Sequence, residues 1–262
     1  MDLGLTDKVF IVTASSKGLG RAAARQLALE GAQVAICARG PEIDATAAAI
    51  RAESGREVFA QQADVSDPAQ AEAFISAAAA HFGGLDGAVF NAGGPPPGVF
   101  LDFKPDDWKR AVDLVLMSTV HMAYAVVPHV LARGGGSLLT IQSYSVKHSV
   151  ENLTLSNAIR MAVVGMMKSM ANELGPQGIR VNSILPGITY TDRIEALMKA
   201  RAAKSGQTPE EELAKTAAAI PLRRTGTVDE FGRTVAFLMS PLVGYIHGVA
   251  LPFDGGSTAS PL

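Results

Sequence analysis

The chain has 262 residues, 48% hydrophobic and 18% charged, which supplies a sizeable core and argues against disorder. Its 23 basic and 25 acidic residues leave a net charge of −2 and are mixed along the sequence, so nucleic acid is not an expected partner. No apolar run reads as long enough for a bilayer span, and Met1–Lys8 lacks the basic-then-apolar order of a signal peptide, so no membrane association is expected either.

Lys8–Thr13 reads KVFIVT, a β-branched first strand. Gly18–Glu30 follows with helical spacing of Leu19, Ala22, Ala23, Leu27 and Ala28, and Gly31 closes it as a C-cap. Gln33–Cys37 is the second strand. Its Cys37 is the only cysteine, excludes an internal disulfide, and reads as a buried, inert thiol; this fits a cytoplasmic location. An Ala-rich helix over Pro41–Glu53, a strand over Glu57–Ala60 and a helix over Pro68–Phe82 come next, the last with Pro in its first turn. Leu85–Phe90 is the fourth strand and Pro105–Leu131 a long helix. Ser137–Ile141 is the fifth strand, Leu153–Leu174 a helix, and Ile179–Leu185 the sixth strand. A helix over Val228–Met239 leads to a last strand over Ile246–Pro252. This alternation, with nearly continuous apolar strands, predicts one α/β domain over 1–262. It is a Rossmann-type, doubly wound unit with a seven-stranded parallel sheet flanked by helices. Ile188–Thr225 departs from the pattern. It is polar, helical and too long for a plain connection, so it either covers a substrate site or is a solvated insertion.

The first strand runs into Thr13-Ala14-Ser15-Ser16-Lys17-Gly18-Leu19-Gly20, a glycine-rich turn that opens a helix. Such a turn lets the backbone approach a pyrophosphate, and the helix N-terminus offers it free N–H groups and partial positive charge. Thr13, Ser15, Ser16, Lys17, Gly18, Leu19 and Gly20 are therefore candidate dinucleotide-binding residues. The second strand ends Cys37-Ala38-Arg39, where an NAD site would carry an acidic side chain for the ribose hydroxyls. Arg39, with Lys17 in the turn, suits a ribose 2′-phosphate instead, and the expected cofactor is NADP(H).

These residues, with others downstream, resemble the short-chain dehydrogenase/reductase family over about Leu5–Gly256. The turn looks like the family's TGxxxGxG motif with Ala14 in place of its first Gly. Asp64-Val65 resembles the pair that contacts adenine, and Asn91-Ala92-Gly93 the element closing the fourth strand. Gly178-Ile179-Arg180-Val181-Asn182 resembles the sixth strand. Pro186-Gly187, followed by Ile188 and Thr189, resembles the turn beside the nicotinamide, and Asp254-Gly255-Gly256 the C-terminal motif. The resemblance implies that all of these but the sixth-strand and C-terminal motifs bind the cofactor. It also implies a homodimer or homotetramer built through the helices around Pro105–Leu131 and Leu153–Leu174.

At the catalytic positions the pattern changes. The family's Ser falls on Ser143. Counting thirteen residues on, and then four, places its Tyr and Lys on Ser156 and Arg160, and its Asn falls on Val115. The overall pattern looks like a divergent branch often labelled 3-oxoacyl-carrier-protein reductase-like. Ser156 can donate a hydrogen bond but is a far weaker acid than a phenol. Arg160 keeps the charge and can hold ribose hydroxyls, but it does not pass protons. Four-residue spacing puts both on one helix face, beside a stripe of Leu155, Ile159, Val163, Met166 and Met170 that reads as core. The candidate substitute acid is Tyr144, next to Ser143 at the C-terminal end of a parallel strand, unless it packs as an aromatic wall; His148 is a weaker candidate. No histidine spacing suggests a metal. Pro95–Phe103, the Ser143 loop and Ile188–Thr225 would line the substrate pocket, and Val99, Phe100, Leu197 and Met198 suggest that part of it is hydrophobic. The leading expectation is an NADP(H)-dependent oxidoreductase of a small carbonyl or alcohol with non-standard acid–base residues, Ser143, Tyr144, Ser156 and Arg160. The alternatives are a non-redox lyase, isomerase or hydrolase on the same scaffold, and a catalytically silent NADP(H)-binding protein.

Overall fold

The computed structural model describes residues 2–259. Seven strands form one wholly parallel sheet: β1 (Val9–Val12), β2 (Gln33–Ala38), β3 (Val58–Gln62), β4 (Gly87–Phe90), β5 (Gly136–Ile141), β6 (Ile179–Pro186) and β7 (Ala250–Phe253). Their order is β3-β2-β1-β4-β5-β6-β7, so the winding reverses between β1 and β4. A crevice opens at such a reversal, beyond the carboxyl ends of the strands.

Both faces of the sheet are covered, which is why the strands read as apolar runs rather than alternating ones. On one face, α1 (Gly18–Leu29), α2 (Glu42–Ser54) and α9 (Val228–Met239) bury Leu27, Ile43, Ile50, Phe231 and Val235 against Phe10, Val12, Val34 and Ile36. On the other, α3 (Pro68–Phe82), α4 (Pro105–Ala111), α5 (Ser118–Ala132) and α6 (Thr154–Leu174) bury Phe74, Val126 and Val163 against Ile11, Phe90 and Leu138. The expected core stripe of α6 holds at Leu155, Ile159 and Val163, then passes to Met167 and Ala171, with Met166 and Met170 only partly buried. Cys37 is fully buried, and burial pushes its thiol up to about 12, so it is the inert residue expected.

Three expectations need correction. The long helix after β4 is not continuous: a wide π turn over Val112–Met117 separates α4 from α5. The carbonyls it loosens are taken by hydroxyls, Ser118 Oγ donating to Leu114 O at 2.7 Å and Thr119 Oγ1 to Val115 O at 2.9 Å. By length and composition Pro105–Ala132 would also pass for a membrane span, contrary to the sequence reading, yet here it packs on α3 and the sheet. Finally, β7 begins at Ala250 rather than Ile246, because side chains take some of the ladder bonds before it while others, such as Gly248 N–H to Val181 O, stay on the backbone. Val181 N–H donates to His247 Nδ1, Val249 N–H donates to Asn182 Oδ1, and Gly248 adopts φ +68°. The polar segment after β6 forms two helices, α7 (Asp192–Ser205) and α8 (Pro209–Ala218), joined through the left-handed Gly206. Its ends are pinned together, Tyr190 N–H donating to Gly226 O and Gly226 N–H to Ile188 O.

Candidate active site

The crevice at the strand reversal is built by β1 and β4 together. Thr13 Oγ1 donates to Asn91 O at 2.7 Å and accepts from Asn91 N–H at 2.9 Å, so Thr13 brackets the two strand ends. Asn91 Nδ2 in turn donates to Ala14 O at 3.1 Å. Ser15 is fully buried and ties the turn to Val12 O and to β2 at Cys37 O. Gly20 sits so close to Ala14 O and the Asn91 amide that no Cβ fits, at 2.5 and 2.8 Å. Gly18 has φ +59°, and a Cβ there would meet only Thr191 Cγ2 at 3.8 Å, so the start of α1 is open at Gly18. Asp64 Oδ1 accepts from the N–H and hydroxyl of Ser66, which fixes the turn after β3, and Val65 is buried beside it.

The ribose end differs from the sequence reading in one respect. Arg39 and Lys17 are exposed, and no carboxylate pairs with either among the described residues. A carboxylate is nevertheless present. Glu42, in the first turn of α2, folds back over Gly40 and accepts from Ser16 Oγ at 3.3 Å. It reaches the site from the helix, not from the strand end where an acidic residue was looked for.

On the other side of β4 lies the loop Asn91-Ala92-Gly93-Gly94, then the proline-rich segment. Gly98 N–H donates to Asn152 O and Thr154 N–H to Gly98 O, which ties this segment to the start of α6. There Ser156 is buried and Arg160 half-buried, one turn apart. Arg160 Nε donates to Ser156 Oγ at 3.2 Å, and Nη1 donates to Gln142 O and Oε1 at 3.4 and 3.3 Å. Gln142 continues the chain by donating to Thr140 Oγ1 at 2.6 Å. Ser156 accepts from the guanidinium, so its own O–H remains free to donate. Burial, and after it the charge of Arg193, pulls the Arg160 guanidinium down to about 10, which leaves it charged at neutral pH. Ser143, the residue after Gln142, caps the turn that follows it by accepting from Ser145 N–H at 3.2 Å.

Tyr144 lies on that turn, edge-on to His148 with ring centres 5.0 Å apart. Both line a cavity of about 610 Å³ with Ile188, Arg201, Glu212, Lys215 and Thr216. Burial, then the Asp254 carboxylate, push the Tyr144 phenol above its ordinary value. The cavity beneath α7 and α8 thus mixes charged groups, Arg201, Glu212 and Lys215, with an apolar wall that includes Ile188, Ala219 and Ile220. Of the apolar residues expected to line it, Met198 is buried within the helical pair, while Val99 and Phe100 are exposed on another segment.

Of the turn after β6, Pro186 is buried at the strand end and Gly187 packs against Asp254, where a Cβ would lie 2.8 Å from Asp254 Cβ. Thr189 is buried, and its hydroxyl has no partner among the described residues. The sequence reading missed Gln142, Thr191, Glu42 and Arg193. Arg193 is the most consequential: with Arg160 it brackets Gly94, where a Cβ would meet Arg193 Nη1 at 3.0 Å and Arg160 Nη2 at 3.4 Å.

A family model described as enoyl-(acyl carrier protein) reductase matches residues 13–258. Dehydrogenase/reductase SDR family member 4 of Sus scrofa is 35% identical over 260 residues, covering 98% of this chain and 89% of the relative. The 3-oxoacyl-(acyl-carrier-protein) reductase of Staphylococcus aureus is 34% identical over 253 residues, covering 95% and 97%. Among solved structures, L-sorbose reductase from Gluconobacter frateurii, complexed with NADPH and L-sorbose, superposes with a TM-score of 0.96 at 29% identity, over 99% of this chain and 100% of that one. Levodione reductase gives 0.91 at 31% identity over 97% and 99%. With the model spanning nearly the whole chain and relatives above 30% identity along its length, the protein belongs to the short-chain dehydrogenase/reductase family of oxidoreductases.

Proposed function

We propose that the chain is an NADP(H)-dependent oxidoreductase of a small carbonyl or alcohol, working through Ser143, Tyr144, Ser156 and Arg160 rather than a Tyr–Lys pair. The observation that carries this reading is the network at the head of α6, in which Arg160 binds Ser156 Oγ and Gln142 at the end of β5, so that a hydroxyl and a fixed positive charge occupy the positions where the family's Tyr and Lys fall. The residues fit the cofactor: the open Gly18 turn and first turn of α1 for the diphosphate, Ser16, Lys17 and Arg39 for the 2′-phosphate, Asp64 and Val65 for the adenine. Asn91, Ala92 and Gly93 line the crevice floor. Arg160 and the Pro186–Thr189 turn, with its unpartnered hydroxyl, serve the nicotinamide half. That the solved L-sorbose reductase is complexed with NADPH supports the choice of phosphorylated cofactor.

When bound, the cofactor supplies or accepts a hydride. The remaining chemistry is electrostatic and belongs to the chain. Reduction places negative charge on the substrate oxygen, and fixed donors facing that oxygen lower the barrier. Ser156 donates its free proton in a hydrogen bond while Arg160 holds and polarises it, and Ser143 offers a second hydroxyl. Ser156 is too weak an acid to give up its proton outright, so the proton comes from the cavity side, where Tyr144 stays protonated at neutral pH. The two helices α7 and α8 cover this cavity. The helices α4–α5 and α6 pair two copies into a homodimer or homotetramer. The test is consumption of NADPH in the presence of a panel of ketones and aldehydes. Turnover with one or more is expected, and none with any would favour the non-redox and silent alternatives.

A further inference from the structure

Two guanidinium groups meet over Gly94. A Cβ on that residue would lie 3.0 Å from Arg193 Nη1, 3.5 Å from Arg193 Nη2 and 3.4 Å from Arg160 Nη2. The two come from different elements, α6 and the first turn of α7, and like charges so close repel unless something offsets them. Nothing in the chain does: among the described residues neither arginine is within ion-pair distance of a carboxylate. Arg160 is also fixed, since its Nε and Nη1 are committed to Ser156 and Gln142, leaving Nη2 toward Gly94. Arg193, exposed, is free to adjust.

The dinucleotide engages Arg160 from its nicotinamide side but leaves Arg193 without a role. Its diphosphate has a cradle at Gly18 and α1, with Thr191 opposite, and its 2′-phosphate has Lys17 and Arg39. Gly94 follows Asn91-Ala92-Gly93, and the Arg160 that reaches it with Nη2 also holds Ser156 Oγ through Nε. The cavity under α7 and α8 has two further cations in its wall, Arg201, two turns further along α7, and Lys215, together with the carboxylate of Glu212.

We propose that Arg160 and Arg193 form a carboxylate-binding clamp for the substrate, so that the natural substrate is an oxo acid or the corresponding hydroxy acid. The inference rests on the oxidoreductase reading for the word substrate, but the anion site stands on its own geometry. The exposed Arg193 guanidinium offers paired N–H donors that match the two oxygens of a carboxylate, and Arg160 Nη2, held in place opposite, adds a fixed charge-assisted donor. The carbonyl next to the carboxylate then lies within reach of Ser156.

The experiment is a calorimetric titration of the protein saturated with NADP+, using pyruvate, 2-oxobutyrate, acetoacetate and 2-oxoglutarate, each against its methyl ester. The clamp predicts that at least one acid binds about tenfold or more tighter than its ester, about the effect of one charge-assisted pair. Arg193→Met should remove that difference while changing NADPH affinity by less than about threefold. The proposal is overturned if every acid and ester bind alike, if no acid binds at millimolar concentration, or if Arg193→Met weakens NADPH about tenfold and leaves the acid preference intact. In the last case the arginine serves a cofactor phosphate. The same titration without dinucleotide separates the two readings: acid binding by a chain that never turns over NADPH would retain the anion clamp and remove the oxidoreductase assignment.

Discussion

Ala14 shows how a single substitution changes the glycine turn. Its φ of 47° is a left-handed conformation in which an L side chain costs about 1–2 kcal/mol. Ala14→Gly should therefore stabilise the protein by about 1 kcal/mol and raise Tm by about 2–4 °C in a calorimetric scan. An unchanged or lower Tm would mean that the methyl group makes compensating contacts. At the ribose end, Arg39 and Glu42 act in opposition. Arg39→Asp should reverse the cofactor preference toward NADH. Glu42→Gln, by removing the negative charge held on Ser16, should tighten NADPH relative to NADH by about threefold or more in a fluorescence titration. An unchanged ratio in both variants would place the 2′-phosphate elsewhere. Tyr144→Phe should lower kcat by about a hundredfold, the usual scale for losing a general acid, and Ser156→Ala by less. Because burial and Asp254 hold the phenol above its ordinary value, it remains protonated from neutral pH well into the alkaline range. The parent's kcat should stay flat there and fall only above the usual tyrosine range. A Tyr144→Phe variant as active as the parent would assign the proton to water. Thr13, Gly18, Gly20, Asn91 and Arg160 were legible in the sequence because their spacing within one motif or helix carries the information. Glu42, Gln142, Thr191 and Arg193 were not, because each contributes only when a second element folds across the first.

Among the elements, the strands and helices were readable because apolar periodicity and Gly or Pro at the ends determine them locally. The exceptions are places where side chains replace backbone partners: the π turn, where Ser118 and Thr119 collect the loosened carbonyls, and the approach to β7, where His247 and Asn182 complete the ladder. The start of α9 is a cap with a measurable charge dependence. Glu230 accepts from Arg224 and from Thr227 N–H, and these bonds, Arg224 first, hold its carboxyl down to about 2. A carboxyl depressed on folding contributes stability above its unfolded pKa, and that contribution is lost as pH falls through the folded value. Glu230→Gln should therefore lower Tm at neutral pH, with a deficit that shrinks between about pH 5 and about pH 2. A deficit independent of pH would assign the effect to packing alone.

For the molecule as a whole, the two-fold contact expected through α4–α5 and α6 makes exposed apolar residues on these helices the ones to test. Tyr124 on α5 is 80% exposed and Met161 on α6 is 53% exposed. Phe237, Leu242, Tyr245 and Leu251, on and before β7, are exposed as well. Light scattering at micromolar concentration should give a mass at least twice that of one chain, and Tyr124→Glu should reduce it; a monomeric parent would contradict this. The central claim is that the scaffold still transfers a hydride although its acid–base groups differ from the family's usual pair. The most direct measurement is a reaction with NADPH carrying deuterium on the transferable position of its nicotinamide, with products analysed by mass spectrometry. The account predicts one deuterium on the carbon that was the carbonyl, with matching loss of label from the cofactor. Product formed without label, or substrate consumed while NADPH stays intact, would contradict it.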